Sequence, residues 1–134
     1  MKKPVAQEHM AGCGIACAAF IEGVGYGDML KRFKKGEENA SFRGFYAYHI
    51  MQILTDPKSY MHCKVVAKNK EEIHEDGTFV YIAKNKEFPI GHWLVRHNEV
   101  WMNPWINYPS IKNVKAGFQN ELPGKPVYAI FKKK

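Results

Sequence analysis

Gln7-Glu8-His9-Met10-Ala11-Gly12-Cys13-Gly14-Ile15-Ala16-Cys17 is the stretch from which this chain is read. Gly12 interrupts what precedes it, and an apolar run begins at Cys13 and continues to Ile21. That pattern predicts a helix over residues 13–22, broken afterwards by Gly23, Gly25 and Gly27. Cys13 then stands at a helix N-terminus. Unpaired backbone N–H groups and the helix dipole there favour a thiolate over a thiol. Gln7, six residues earlier, brings an amide that can donate to a developing oxyanion. Cys13 is therefore a candidate nucleophile. Cys17, one turn further on, reads as a core residue.

A nucleophile needs a base, and residues 91–104 supply a candidate. Gly91-His92-Trp93-Leu94-Val95-Arg96-His97-Asn98-Glu99-Val100-Trp101-Met102-Asn103-Pro104 holds two aromatic and β-branched runs around a polar pair. It reads as a β-hairpin. A two-residue turn at His97-Asn98 pairs Val95 with Val100, Trp93 with Met102 and His92 with Asn103. Directly opposed residues on one face bring their Cβ atoms to roughly 4.5–5.5 Å. Asn103 can then fix the tautomer and orientation of the His92 ring. Cys13, His92 and Asn103 thus form a candidate Cys-His-Asn constellation, far apart in sequence and joined only by folding. His9 falls in the extended lead-in and His97 in the turn, so neither competes for the role of base. Zinc from Cys13, Cys17, His9 and His92 lacks the second ligand pair that a structural site needs. The constellation calls for no metal and no cofactor.

Between these motifs the chain divides into a helical half and a strand half. A second helix fits residues 28–35, with Asp28 as its N-cap. Residues 36–40 read as a loop. A third helix fits residues 42–54, capped by Ser41, with Phe42, Phe45, Tyr46, Ile50, Ile53 and Leu54 approximating one stripe. Strands are expected over residues 62–67 and 78–83, with a short helix or turn over 69–76. Residues 105–124 read as a long loop, and a last strand covers 127–131. Helices first and strands second predict an α+β domain, its helical half packed on an antiparallel sheet. Trp93, Trp101 and Trp105 gather around the hairpin; sheet packing accounts for at least two of them.

At 134 residues the chain fits one domain, 1–134. That length buries roughly two-thirds of the unfolded surface without disulfides. Three cysteines leave at least one thiol unpaired and point to a reducing, cytoplasmic setting. The apolar run is too short to span a membrane, and charged residues precede Met10-Ala11-Gly12-Cys13 where a signal peptide would be apolar. The net charge of +7 is spread over several lysine clusters and a basic tail. It reads as a solvated surface, and nucleic acid is not the expected partner.

The two motifs together resemble the papain-like cysteine peptidases, and most closely the bacteriocin-processing peptidases that cleave double-glycine leaders and are often fused to exporters. That family's pattern, Gln, five residues, then Cys-Gly-x-Ala-Cys, is met by Gln7 and Cys13-Gly14-Ile15-Ala16-Cys17. Its His-plus-strand and acid-or-amide-before-Pro elements are met by His92-Trp93-Leu94-Val95 and Met102-Asn103-Pro104. The similarity runs in order along nearly the whole chain. Gly12 stands where the family carries an acid, and Asn103 where the bacteriocin-processing group carries Asp. The resemblance implies a cleft between the two halves and hydrolysis of a peptide or protein substrate through a Cys13 thioester. It implies His92 as acid and base in an ion pair with Cys13, Asn103 as its orienter, and Gln7 with the Cys13 N–H as the oxyanion hole. It leaves room for an exporter partner and for a bacterial or phage source. The same apparatus serves a deamidase or acyltransferase acting on protein side chains. A catalytically silent basic binding module is the third reading.

Overall fold

The computed structural model describes residues 2–42 and 44–133. Among these residues four α-helices come first: α1 (Cys13–Glu22), α2 (Tyr26–Leu30), α3 (Gly36–Phe42) and α4 (Ala47–Ile53). Six strands follow among the described residues: β1 (Tyr60–Lys64), β2 (Phe79–Ile82), β3 (His92–His97), β4 (Val100–Asn103), β5 (Gly117–Gln119) and β6 (Pro126–Lys132). They form one antiparallel sheet in the order β1-β6-β2-β3-β4-β5. The architecture is α+β, helices packed on an antiparallel sheet, as the order of patterns along the chain predicts. No helix among the described residues is long and apolar enough to cross a membrane.

α1 runs over the residues expected of it. All of Cys13 to Phe20 is buried, so this helix is apolar on every side and lies in the middle of the fold. Gly23 ends it in the left-handed conformation, φ +70°, with its N–H returned to the Ala19 carbonyl. At Gly14 a Cβ would stand 2.9 Å from Ile50 Cδ1, so a glycine there lets α4 approach α1 closely.

The other helices differ from expectation. The second helix is shorter and begins at Tyr26, so Asp28 lies inside it rather than at its cap. Residues 36–40, expected to be loop, belong to α3, where Glu37 and Glu38 favourably face the N-terminal dipole. Ser41 lies within that helix, its hydroxyl donating to the Glu37 carbonyl. The expected single helix over 42–54 is cut at Gly44, φ +74°, whose N–H closes on Asn39 O at 2.8 Å. Residue 43, which that expected helix crosses, lies outside the described residues. α4 restarts at Ala47, after Tyr46 in extended conformation.

The sheet separates two apolar layers. Phe79, Trp93, Val95, Met102 and Ile130 pack on its helical face against α1 and α4. Val80, Ile82, Leu94, Trp101, Ala129 and Phe131 fill the opposite face, covered by Ile73, Phe88, Tyr108 and Leu122 from connecting segments. The stretch 105–124, read as a long loop, is thus not loop throughout. It supplies β5, which extends the sheet beside β4, and part of the cover for the second layer.

The β3–β4 hairpin forms with a different turn. Val95 faces Met102, Arg96 faces Trp101 and His97 faces Val100, so the turn is Asn98-Glu99. Asn98 takes the left-handed conformation, φ +56°, and its N–H is held by Asp76 Oδ1 at 2.9 Å. His97 is therefore the last residue of β3, and its ring packs edge-on against Phe20 on the helical side. Continuing the register places Asn103 opposite Leu94, not opposite His92. The shift is two residues, and side chains alternate with period two, so His92 and Asn103 stay on one face as diagonal neighbours.

Candidate active site

Cys13 is the first residue of α1, and the N–H groups of this first turn have no carbonyl one turn earlier to satisfy them. Cys13 is 8% exposed. It lines a cleft of about 1320 Å³ that runs between the helical half and the sheet. Cys13 Sγ accepts a hydrogen bond from Trp93 N at 3.3 Å, which ties the head of α1 to the head of β3. Cys17 Sγ donates to Trp93 O at 3.5 Å, so α1 grips both sides of one residue of β3. Cys17 itself is fully buried.

His92 directly precedes Trp93. Its ring is 2% exposed, stacks on Phe88 at 4.0 Å with a 9° interplanar angle, and meets Asn103 Oδ1 at 2.8 Å through Nε2. The hydrogen-bond network assigns the protons. Trp105 N, a donor, lies 2.9 Å from Asn103 Oδ1, so that atom is the acceptor oxygen. Asn103 Nδ2 then donates to Gln119 Oε1 at 2.7 Å, and Gln119 Nε2 donates to Glu121 O. An oxygen facing His92 Nε2 requires that nitrogen to carry the proton. In the neutral ring Nδ1 is left with its lone pair, which is the tautomer a general base needs. Among the described residues no hydrogen bond joins the His92 ring to Cys13.

Burial sets the charge state. It pushes the Cys13 thiol up to about 11, a shift only partly offset by the N–H groups of Trp93, Gly14 and Cys13 itself. It pushes His92 down to about 4, partly offset by Asn103. Both directions favour a neutral thiol and a neutral imidazole. The helix dipole favours the thiolate–imidazolium pair expected from the sequence, and desolvation of the helix head outweighs it.

Gln7 is 2% exposed and anchored by its own N–H to Pro104 O at 3.2 Å, next to Asn103. Its amide nitrogen donates to His9 O at 2.9 Å and Met10 O at 3.0 Å. Both amide hydrogens thus shape the loop entering Cys13, while Gln7 Oε1 is buried without a partner among the described residues. His9 lies on that loop, and its Nδ1 meets the Tyr26 hydroxyl at 2.9 Å. Among the described residues, no three His, Cys, Asp or Glu side chains group as metal ligands would.

Two partners of the site were not legible in the sequence. Gln119 reaches Asn103 only because β5 pairs with β4, and three residues carry no periodic signal. Tyr26 explains Gly12: a Cβ there would fall inside the Tyr26 hydroxyl and 3.3 Å from His9 O. Gly12→Ala is therefore expected to destabilise the fold by about 1–3 kcal/mol through overpacking, read as a lower urea midpoint. Adding Tyr26→Phe should recover part of the loss, because the phenol oxygen is the nearest obstacle; an unchanged midpoint in Gly12→Ala would refute the clash.

The fold is similar to that of the peptidase domain of Streptococcus ComA, described as a bi-functional ABC transporter involved in quorum sensing. The two chains superpose over 100% of each, with a TM-score of 0.52 and 18% sequence identity. No protein-family model and no curated protein matches this sequence.

Proposed function

We propose that this chain, acting as one unit, is a cysteine peptidase in which Cys13 is the nucleophile and His92 the acid and base. The observation that carries the reading is the bond from Trp93 N to Cys13 Sγ. It ties the sulfur to the backbone of the residue that follows His92, and Asn103 fixes the tautomer of the His92 ring. The fold shared with a peptidase domain supports it.

His92 Nδ1 takes the thiol proton as sulfur attacks the scissile carbonyl. The C–S bond forms and the carbonyl π pair moves to oxygen. The first-turn N–H of Cys13 faces that charge, and Gln7 adds a donor by exchanging one of its two loop carbonyls for the substrate oxygen. Loss of one such donor costs on the order of 3–4 kcal/mol in barrier height. Collapse breaks the C–N bond, and the His92 imidazolium delivers its proton to the leaving amine. Water, deprotonated by His92, then hydrolyses the Cys13 thioester. Asn103 keeps the ring from turning throughout, and Gln119 keeps Asn103 from flipping its amide.

A peptidyl chloromethyl ketone tests this whatever sequence the natural substrate has. Intact-mass and peptide mapping should find one equivalent, on Cys13, with Cys17 and Cys63 unmodified. A natural substrate should then yield two fragments whose masses sum to the parent plus water. Modification elsewhere, or a mass gain from amide-to-acid conversion with no chain break, would reject peptidase action.

A further inference from the structure

The cleft beside Cys13 has a one-sided charge. The chain carries thirteen Asp and Glu residues, and none lines this cleft. Lys34, Lys35, Lys64 and Lys125 do, and all four are exposed. Arg32 also lines it, but Glu22 holds that guanidinium at 2.8 Å, so the lysines are the cations of the lining with no acidic partner among the described residues. They come from both banks. Lys34 and Lys35 precede α3, Lys64 ends β1 and Lys125 precedes β6. Of the acids, Glu71, Glu72 and Asp76 lie in the segment covering the far face of the sheet, Glu22 is paired with Arg32, and Glu37 and Glu38 stand in the first turn of α3 after Lys34-Lys35.

Below this rim the walls are apolar and aromatic, with Phe45, Tyr81, Trp93 and Tyr128 among them. The volume, about 1320 Å³, exceeds the usual range for small-molecule sites and fits an extended segment of several residues. We infer that the cleft selects acidic peptide segments, with carboxylates meeting the lysines of both banks and bulky apolar side chains seated between them. This rests on the peptidase reading and names its substrate class. A polyanionic nucleic acid meets the same lysines but offers no acyl carbon to the Cys13 thiol that lines the cleft, so peptide is the occupant that uses both features.

Binding is measured first, on Cys13→Ala protein, so that no turnover is needed. The probes are fluorescein-labelled octapeptides of alternating Glu and Leu, Gln and Leu, or Lys and Leu, and a fluorescein-labelled oligothymidylate. The Glu-Leu peptide should bind about tenfold tighter than the Gln-Leu peptide, the Lys-Leu peptide weakest, and the preference should shrink with added salt. Lys34→Glu with Lys64→Glu, one reversal on each bank at exposed positions, should abolish it. Equal affinity for the three peptides overturns the inference, as does a preference for oligothymidylate lost in the same double variant. Cleavage by the unmodified protein is scored separately. Cleavage with no charge preference in kcat/KM sinks this inference and spares the peptidase reading; tight binding of the Glu-Leu peptide with no acidic peptide cleaved does the reverse.

Discussion

Cys13→Ala is expected to lower peptide cleavage by at least about 10⁴-fold, because removing the nucleophile leaves only the binding and oxyanion terms. Cys17→Ala is the matched control. It deletes a sulfur one turn away on the same helix, fully buried and bonded to the other side of Trp93. Its expected effect is on stability, about 1–2 kcal/mol from the small cavity and the lost weak hydrogen bond, with kcat/KM nearly unchanged. The two variants remove the same atom type from neighbouring positions and should separate chemistry from packing. Matched losses of activity in both would place the effect on the α1–β3 junction and remove Cys13 from the mechanism. Thermal melts of both proteins are needed beside the rates, since Cys13 also accepts from Trp93 N.

That contrast was legible in the sequence, because local signals carry it. Gly12 and Gly23 bracket α1, and an unbroken apolar run between them fixes a helix with Cys13 at its head. The hairpin was legible as a hairpin but not in register. Asn98 tolerates the positive φ of either turn, and Asp76, from a segment 22 residues earlier, holds its N–H in the turn that forms. The resulting two-residue shift kept His92 and Asn103 on one face, so the dyad survived a wrong alignment. The helix over 42–54 failed for the same kind of reason. Its apolar stripe spans the break, and the break is fixed by Gly44, where a Cβ would come 3.2 Å from Ala11 O in the loop that feeds Cys13. What lay beyond reading was tertiary: a cap determined by a distant loop, a strand of three residues, and the burial that sets the charges of the site.

Burial yields the second large effect, which is on pH dependence. The His92 ring ordinarily titrates near 6.5 and is held near 4 in the folded protein. Between those values the unfolded chain binds a proton that the folded chain refuses. Stability is therefore complete above about pH 6.5 and falls as the pH drops toward 4, by about 3 kcal/mol in all. His92→Leu removes the titration, so its urea midpoint should stay flat across that window apart from the contributions of other groups common to both proteins. Cys13 has the opposite sign. Its folded thiol is held up near 11, so its contribution is lost only as alkali deprotonates the unfolded thiol above pH 9. The same two shifts predict reactivity. Iodoacetamide should alkylate Cys13 slowly at pH 6 and faster only as the pH climbs toward 11, and the acid limb of kcat/KM should lie near 4. Asn103→Leu withdraws the acceptor that supports the charged ring and leaves Nε2–H buried without a partner. It should deepen the acid sensitivity of folding and cut kcat/KM by about 10²-fold. A plateau of rapid alkylation from pH 5 to 8 would overturn the neutral pair and restore the thiolate–imidazolium pair that the helix dipole favours.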